Sequence, residues 1–152
     1  MTRGDARELA IHLIYAREFT GEEPESIIKA RFDSAYYPNL AQINDVYNDR
    51  PSKAQTAYID SVVSGVANRL DMLNDYIAQY AISWDVSRIS RLTRAVMQLA
   101  IFEILFVEDV PTGVAISEAV RIAKKYDGDD TGAFVNGILG SFARGLDQEV
   151  AK

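Results

Sequence analysis

Residues 91 to 107 constrain the fold of this chain more than any other stretch. Beyond Arg94 the segment is apolar on almost every side, with Glu103 as the one acid inside it. A helix of that character has no face to offer water, so it belongs at the centre of a bundle with other helices around it. Its longest apolar run, Leu99 to Val107, is interrupted by Glu103 and is too short to cross a bilayer.

The surrounding segments also read as helices. Thr2 is placed to cap a helix from about Arg3 to Phe19, with Ala6, Leu9, Ala10 and Leu13 on one face. Thr20-Gly21 ends it, and Glu22-Glu23-Pro24-Glu25 forms the acidic first turn of a second helix through Ile27, Ile28 and Phe32. From Ser34 to Ser52 the periodicity fades into turn chemistry, a long connection expected to hold one short helix at Leu40 to Tyr47. Pro51-Ser52 starts a longer helix on Tyr58, Ile59, Val62, Val63, Val66 and Leu70. It is expected to run to Tyr80 with a bend where Gly65 and Asn68 lower the propensity. Trp84 to Ile89 reads as a short helix, Thr112 to Tyr126 as the next long one, and Gly132 to about Leu146 as the last. The acidic turn Asp127-Gly128-Asp129-Asp130-Thr131 is expected to cap that last helix. No strand pattern, internal repeat or dividing linker interrupts the series, so residues 1–152 are expected to form a single all-α domain.

Composition narrows the chemistry. The chain has no cysteine and a single histidine, His12, which removes disulfides, thiolate nucleophiles and thiolate metal sites. No Gly-rich phosphate loop, nucleophile elbow or metal-ligand spacing is present, so neither catalysis nor a cofactor is expected. Glu103 reads as a buried structural carboxylate and His12 as a partly buried packing residue. The first residues lack signal-peptide architecture, and a cytoplasmic location is expected. The formal charge of −6 argues for weak RNA binding alone and stronger binding beside a basic partner. Basic residues nevertheless cluster. Arg3 and Arg7 share one flank of the first helix, Arg121, Lys124 and Lys125 gather at the end of the penultimate one, and Arg88, Arg91 and Arg94 recur every third residue. Taken alone, each cluster is adequately explained as solvated flank charge or as partners of a helix dipole.

Val110-Pro111-Thr112-Gly113-Val114-Ala115-Ile116-Ser117-Glu118-Ala119-Val120, followed by Ala123-Lys124-Lys125-Tyr126, resembles the signature of the NusB family. Phe134-Val135-Asn136-Gly137-Ile138-Leu139 is similar to that family's Phe-Val-Asn-Gly-Val-Leu block. Arg94 to Glu103 resembles its central helix, and Ala6-Arg7-Glu8-Leu9-Ala10 with Leu13-Ile14-Tyr15 its first. The resemblance implies a compact bundle of about seven helices in two packed sub-bundles. It also implies a role in transcription antitermination: binding single-stranded boxA-like RNA together with the ribosomal protein NusE, and acting indirectly on the RNA polymerase elongation complex at ribosomal RNA operons. By position it assigns Arg3, Arg7 and Tyr15 to RNA from the first helix, and Asp130 and Phe134 from the last, with Lys124 beside them. Tyr80, Arg88 and Arg91 are the expected partner-binding residues.

The chain departs from the family in three places. Gly4 and Asp5 stand where the family's arm is basic, Ser117 replaces the usual Asn, and Arg88 and Arg91 replace acids ahead of the central helix. The depleted arm keeps a second reading open, a divergent paralogue acting only in protein–protein contacts. A third is a detached relative of the N-terminal domain of ribosomal RNA methyltransferases, although no cofactor-binding βαβ pattern is present. A homodimer is compatible with each reading.

Overall fold

The computed structural model describes residues 1–81 and 89–151. Among these residues there are seven α-helices, two 3-10 helices and no strand. They form two compact units, Met1–Asn68 and Arg69–Lys152. No helix among them is long and apolar enough to cross a membrane.

The N-terminal unit is built on α1 (Arg3–Thr20), α2 (Pro24–Arg31) and α3 (Lys53–Ala67). Thr2 caps α1 as expected, its hydroxyl accepting from the Asp5 N–H while the Asp5 carboxylate accepts from the Thr2 N–H, each at 3.0 Å. Gly21 ends the helix at φ 66°, a left-handed conformation that costs glycine little. The expected face Ala6, Leu9, Ala10 and Leu13 is buried, but so are Arg7, Glu8, Ile11 and Ile14. Helices α2 and α3 and the second 3-10 helix all pack on α1, which covers more than one stripe of it.

The connection after α2 is ordered differently from expectation. In place of one helix over residues 40–47 there are two 3-10 helices, Tyr37–Gln42 and Asp45–Tyr47. They are parted at Asn44, whose extended backbone leaves its side chain to accept from the Val46 N–H at 3.0 Å. Short 3-10 turns form few backbone bonds, so buried aromatic side chains secure the segment. Tyr47 accepts from Arg31 Nη1 at 2.6 Å and pairs with His12 Nδ1 at 2.7 Å. His12 is therefore half-buried, as expected, and hydrogen-bonded as well. The Tyr37 hydroxyl donates to the Asp49 carbonyl at 2.7 Å, and its ring lies between Phe32 and the Arg50 guanidinium.

The C-terminal unit contains α4 (Leu70–Tyr80), α5 (Arg91–Phe106), α6 (Thr112–Asp127) and α7 (Asp129–Ala151). The expected bend between residues 52 and 80 is a full break. Helix α3 stops at Ala67, Arg69 leaves helical geometry at φ −130°, and α4 restarts at Leu70. Helix α5 is enclosed as its composition demands: every residue from Ala95 to Glu103 is buried, with α4, α6 and α7 against it. Its polar Gln98 donates to Asn74 Oδ1 at 2.8 Å, so that amide is not buried without a partner. The last helix begins three residues before the expected Gly132 and runs past Leu146. Asp129 and Asp130 form its first turn, because carboxylates there face the positive end of the helix dipole. The short helix expected at Trp84 to Ile89 lies almost wholly outside the described residues.

Burial holds the Tyr37 phenol protonated up to about 12, with the neighbouring Tyr47 adding to the effect. Burial also raises Tyr47, and Arg31 opposes that rise. In the unfolded chain both phenols ionise near about 10. The stability they contribute is complete below that pH and is lost as pH rises through the folded values. The urea midpoint should therefore fall between about pH 10 and 12. Tyr37→Phe should remove the highest-pH step from the phenolate absorbance titration; an unchanged titration would refute the assignment.

Candidate nucleic-acid interface

Two surfaces carry the residues assigned to RNA, one in each unit. On the N-terminal surface Arg3 and Arg7 lie one turn apart on α1, and α3 supplies the platform beneath them. The Arg3 guanidinium sits 4.1 Å from the centroid of the Tyr58 ring, and that of Arg7 lies 5.9 Å from it. A ring face attracts a cation and restricts the long side chain that carries it. The two arginines differ in access: Arg3 is exposed, whereas Arg7 is only 4% exposed. Arg3 is therefore open to solvent, whereas Arg7 is enclosed beside the ring. Tyr58 was legible in the sequence only as a core residue, because no local pattern links positions 3 and 58.

Further along α1, Tyr15 is 36% exposed and meets Phe19, which is 56% exposed, edge to face at 5.1 Å between centroids. Phe19 is the residue that sequence reasoning missed. Its signal was the four-residue spacing from Tyr15, which places both rings on one flank.

The second surface lies where α6 turns into α7. Lys124 and Lys125 occupy the last turn of α6, where the helix dipole favours cations. The stem of Lys124 lies against Gly132, so closely that a Cβ there would come within 2.4 Å of the lysine Cγ. The missing side chain at Gly132 thus lets Lys124 lie along the first turn of α7. Arg121 is drawn instead to Glu118 at 2.7 Å. The buried stripe of α7 is Val135, Ile138, Leu139 and Phe142. Phe134 stands one position off it and is only half-buried, so its ring edges the core rather than filling it. Asp130 is exposed. The surface therefore combines a cation, a hydrogen-bond acceptor and a partly exposed ring, the groups that single-stranded RNA recognition uses.

Among the described residues, no group of three or more His, Asp or Glu side chains is placed to hold a metal ion. Residues 4–144 match the sequence profile of the NusB family. The chain belongs to the NusB family. The transcription antitermination protein NusB of Symbiobacterium thermophilum is 34% identical over 146 residues, covering 96% of this chain and 92% of that protein. The structure of T. maritima NusB superposes with a TM-score of 0.76 at 30% identity, covering 95% of this chain and 92% of the other. A crystal structure of antitermination factors NusB and NusE in complex with dsRNA shares the fold at a TM-score of 0.72 and 20% identity, with 94% of this chain and 96% of that one covered.

The expected partner residues of this NusB-family chain fall at two helix ends. Arg91 is exposed in the first turn of α5, where a cation opposes the helix dipole and gains no local stability from it. Tyr80 ends α4 half-buried, its ring edge-on to Phe142 at 6.1 Å and its hydroxyl at Gly145. That packing leaves part of the ring for a partner. Arg88 lies outside the described residues. A Cβ at Gly145 would meet the Tyr80 hydroxyl at 2.1 Å. Gly145→Ala should therefore lower the thermal midpoint, because overpacking costs about 1–3 kcal/mol and alanine returns only about 1 in helix propensity. A raised midpoint would show that Tyr80 moves away freely.

Proposed function

We propose that this chain is a transcription antitermination factor that binds single-stranded boxA-like RNA together with NusE, and through that complex acts on RNA polymerase at ribosomal RNA operons. The observation that carries the reading is the match along nearly the whole chain to proteins named transcription antitermination protein NusB. The structural neighbour that holds NusB and NusE with double-stranded RNA supports NusE and RNA as partners, and the single-stranded form is part of the proposal. In this reading Arg3 and Lys124 meet phosphates, Tyr15 and Phe134 stack on bases, and Asp130 accepts from a base amino group. Arg7 keeps Tyr58 and the α1 flank in place. The net charge of −6 makes the chain a poor general ligand for polyanions. A basic partner offsets that charge, and NusE has this role, with Tyr80, Arg88 and Arg91 on the surface that receives it.

Titration of fluorescent boxA RNA, with and without the NusE of its own organism and at two salt concentrations, tests the reading. Binding should strengthen when NusE is present. Arg3→Ala should weaken it and reduce the logarithmic salt slope by about 0.7, one phosphate on a single strand. Arg7→Ala should weaken it with little change of slope. Gly132→Ala, which displaces the Lys124 stem, should weaken it while the fold persists. Folded protein that binds no RNA under any of these conditions would overturn RNA recognition and leave a helical protein-interaction module.

A further inference from the structure

We propose that Asp127 is a positioning residue for RNA contact, a clasp that sets the α6–α7 turn by fastening it to the N-terminus of α5. The inference rests on the RNA reading of that turn. Asp127 is the last residue of α6, where a negative charge opposes that helix's own dipole. Its carboxylate turns instead to α5. One oxygen, Oδ2, accepts from Ser90 Oγ at 2.7 Å and from Thr93 Oγ1 at 2.5 Å. Ser90 is the N-cap of α5, and its Oγ in turn accepts from the Thr93 N–H at 3.0 Å. The charge thus lies at the positive end of α5, where the dipole favours it. Both hydroxyl bonds go to an ionised acceptor, which makes them stronger than neutral pairs.

The clasp gives the turn a fixed point on α5 in addition to the bonds within it. Gly128 follows at φ 92°, a conformation open to glycine. On the near side the Gly128 N–H donates to the Lys124 carbonyl. On the far side the Gly132 N–H donates to the Gly128 carbonyl, and Thr131 Oγ1 to the Asp127 carbonyl. These bonds are internal to the turn and hold its shape without setting its place on the bundle. The Asp127 side chain ties it to a third helix, at Thr93, which is fully buried. Lys124, Asp130 and Phe134 all lie within seven residues of that anchor. Small displacements of the turn would misalign all three.

The proposal predicts the opposite sign from simple electrostatics. Asp127 is exposed, and as a bare charge beside an RNA surface it would repel phosphates. Its removal would then strengthen binding. As a clasp, Asp127→Ala should weaken boxA RNA binding by about tenfold, the scale of losing hydrogen bonds to a charged acceptor. The salt slope should stay the same, because no phosphate contact is lost. Asp127→Asn, which keeps an acceptor for the hydroxyls but weakens both bonds by dropping the charge, should bind more tightly than Asp127→Ala. Thr93→Val, which alters neither charge nor cap, should weaken binding in the same direction as Asp127→Ala, and the double variant should lose less than the sum of the two.

Hydrogen exchange supplies the readout that is independent of RNA. The Thr131 and Gly132 amides should exchange faster in Asp127→Ala, while α1 amides change little. Stronger RNA binding by Asp127→Ala, or unchanged protection of the turn, would overturn the proposal. If wild type binds no RNA, the antitermination reading fails and this proposal falls with it. If wild type binds and the Asp127 variants behave as bare charges, only the clasp fails.

Discussion

The C-terminal half of this molecule depends on the need to surround one helix. From Ala95 to Glu103 every residue of α5 is buried, so α4, α6 and α7 must each present an apolar stripe to it. That requirement fixes the rotation of each neighbour about its own axis. On α7 the buried stripe is Val135, Ile138, Leu139 and Phe142, and this choice turns Phe134 to the margin. The residue assigned to base stacking is thus oriented by what the core needs one, four and five positions further on. Rigid packing inside, with functional groups on its edges, is the usual division of labour in a binding scaffold.

The N-terminal half solves a different problem. Its connection between α2 and α3 holds two short 3-10 helices, whose backbone hydrogen bonds reach only three or four residues along the chain. Phenol hydroxyls and guanidinium groups take over, with Tyr47 between Arg31 and His12, and Tyr37 between Asp49, Phe32 and Arg50. Each such bond contributes on the order of 1 kcal/mol net, yet losing one partner leaves a buried polar group that costs more. Order in this segment therefore depends on a few side chains far apart in sequence.

The charges assigned to RNA share a feature that sequence spacing does not reveal. Arg3 lies over the Tyr58 ring, and Lys124 lies along the bare backbone at Gly132. Both long side chains are restrained by packing along their stems or heads, which reduces the entropy lost when a phosphate binds. In a chain of net charge −6, a few pre-positioned cations matter more than the total.

Much of this was legible in one dimension. The all-helical class, the central place of residues 91 to 107, the Thr2 and Ser52 starts and the half-buried His12 follow from periodicity and capping chemistry, which act over three or four residues. The family resemblance was legible for the same reason, since its blocks are contiguous. What the sequence could not convey depends on pairs brought together by folding: Tyr58 beneath Arg3, Phe19 exposed beside Tyr15, Tyr47 joined to His12 and Arg31, and Asp127 reaching back to Ser90 and Thr93. The acidic turn 127–131 makes the division plain. Its composition marked a helix start, but its first two aspartates differ in fate, Asp127 bonding to α5 while Asp129 opens α7. By itself the sequence determined which segments are helices and which faces they bury, because those are local free energies repeated along the chain. Only the tertiary structure decided which polar side chains meet, because that depends on distances set by the packing of whole helices.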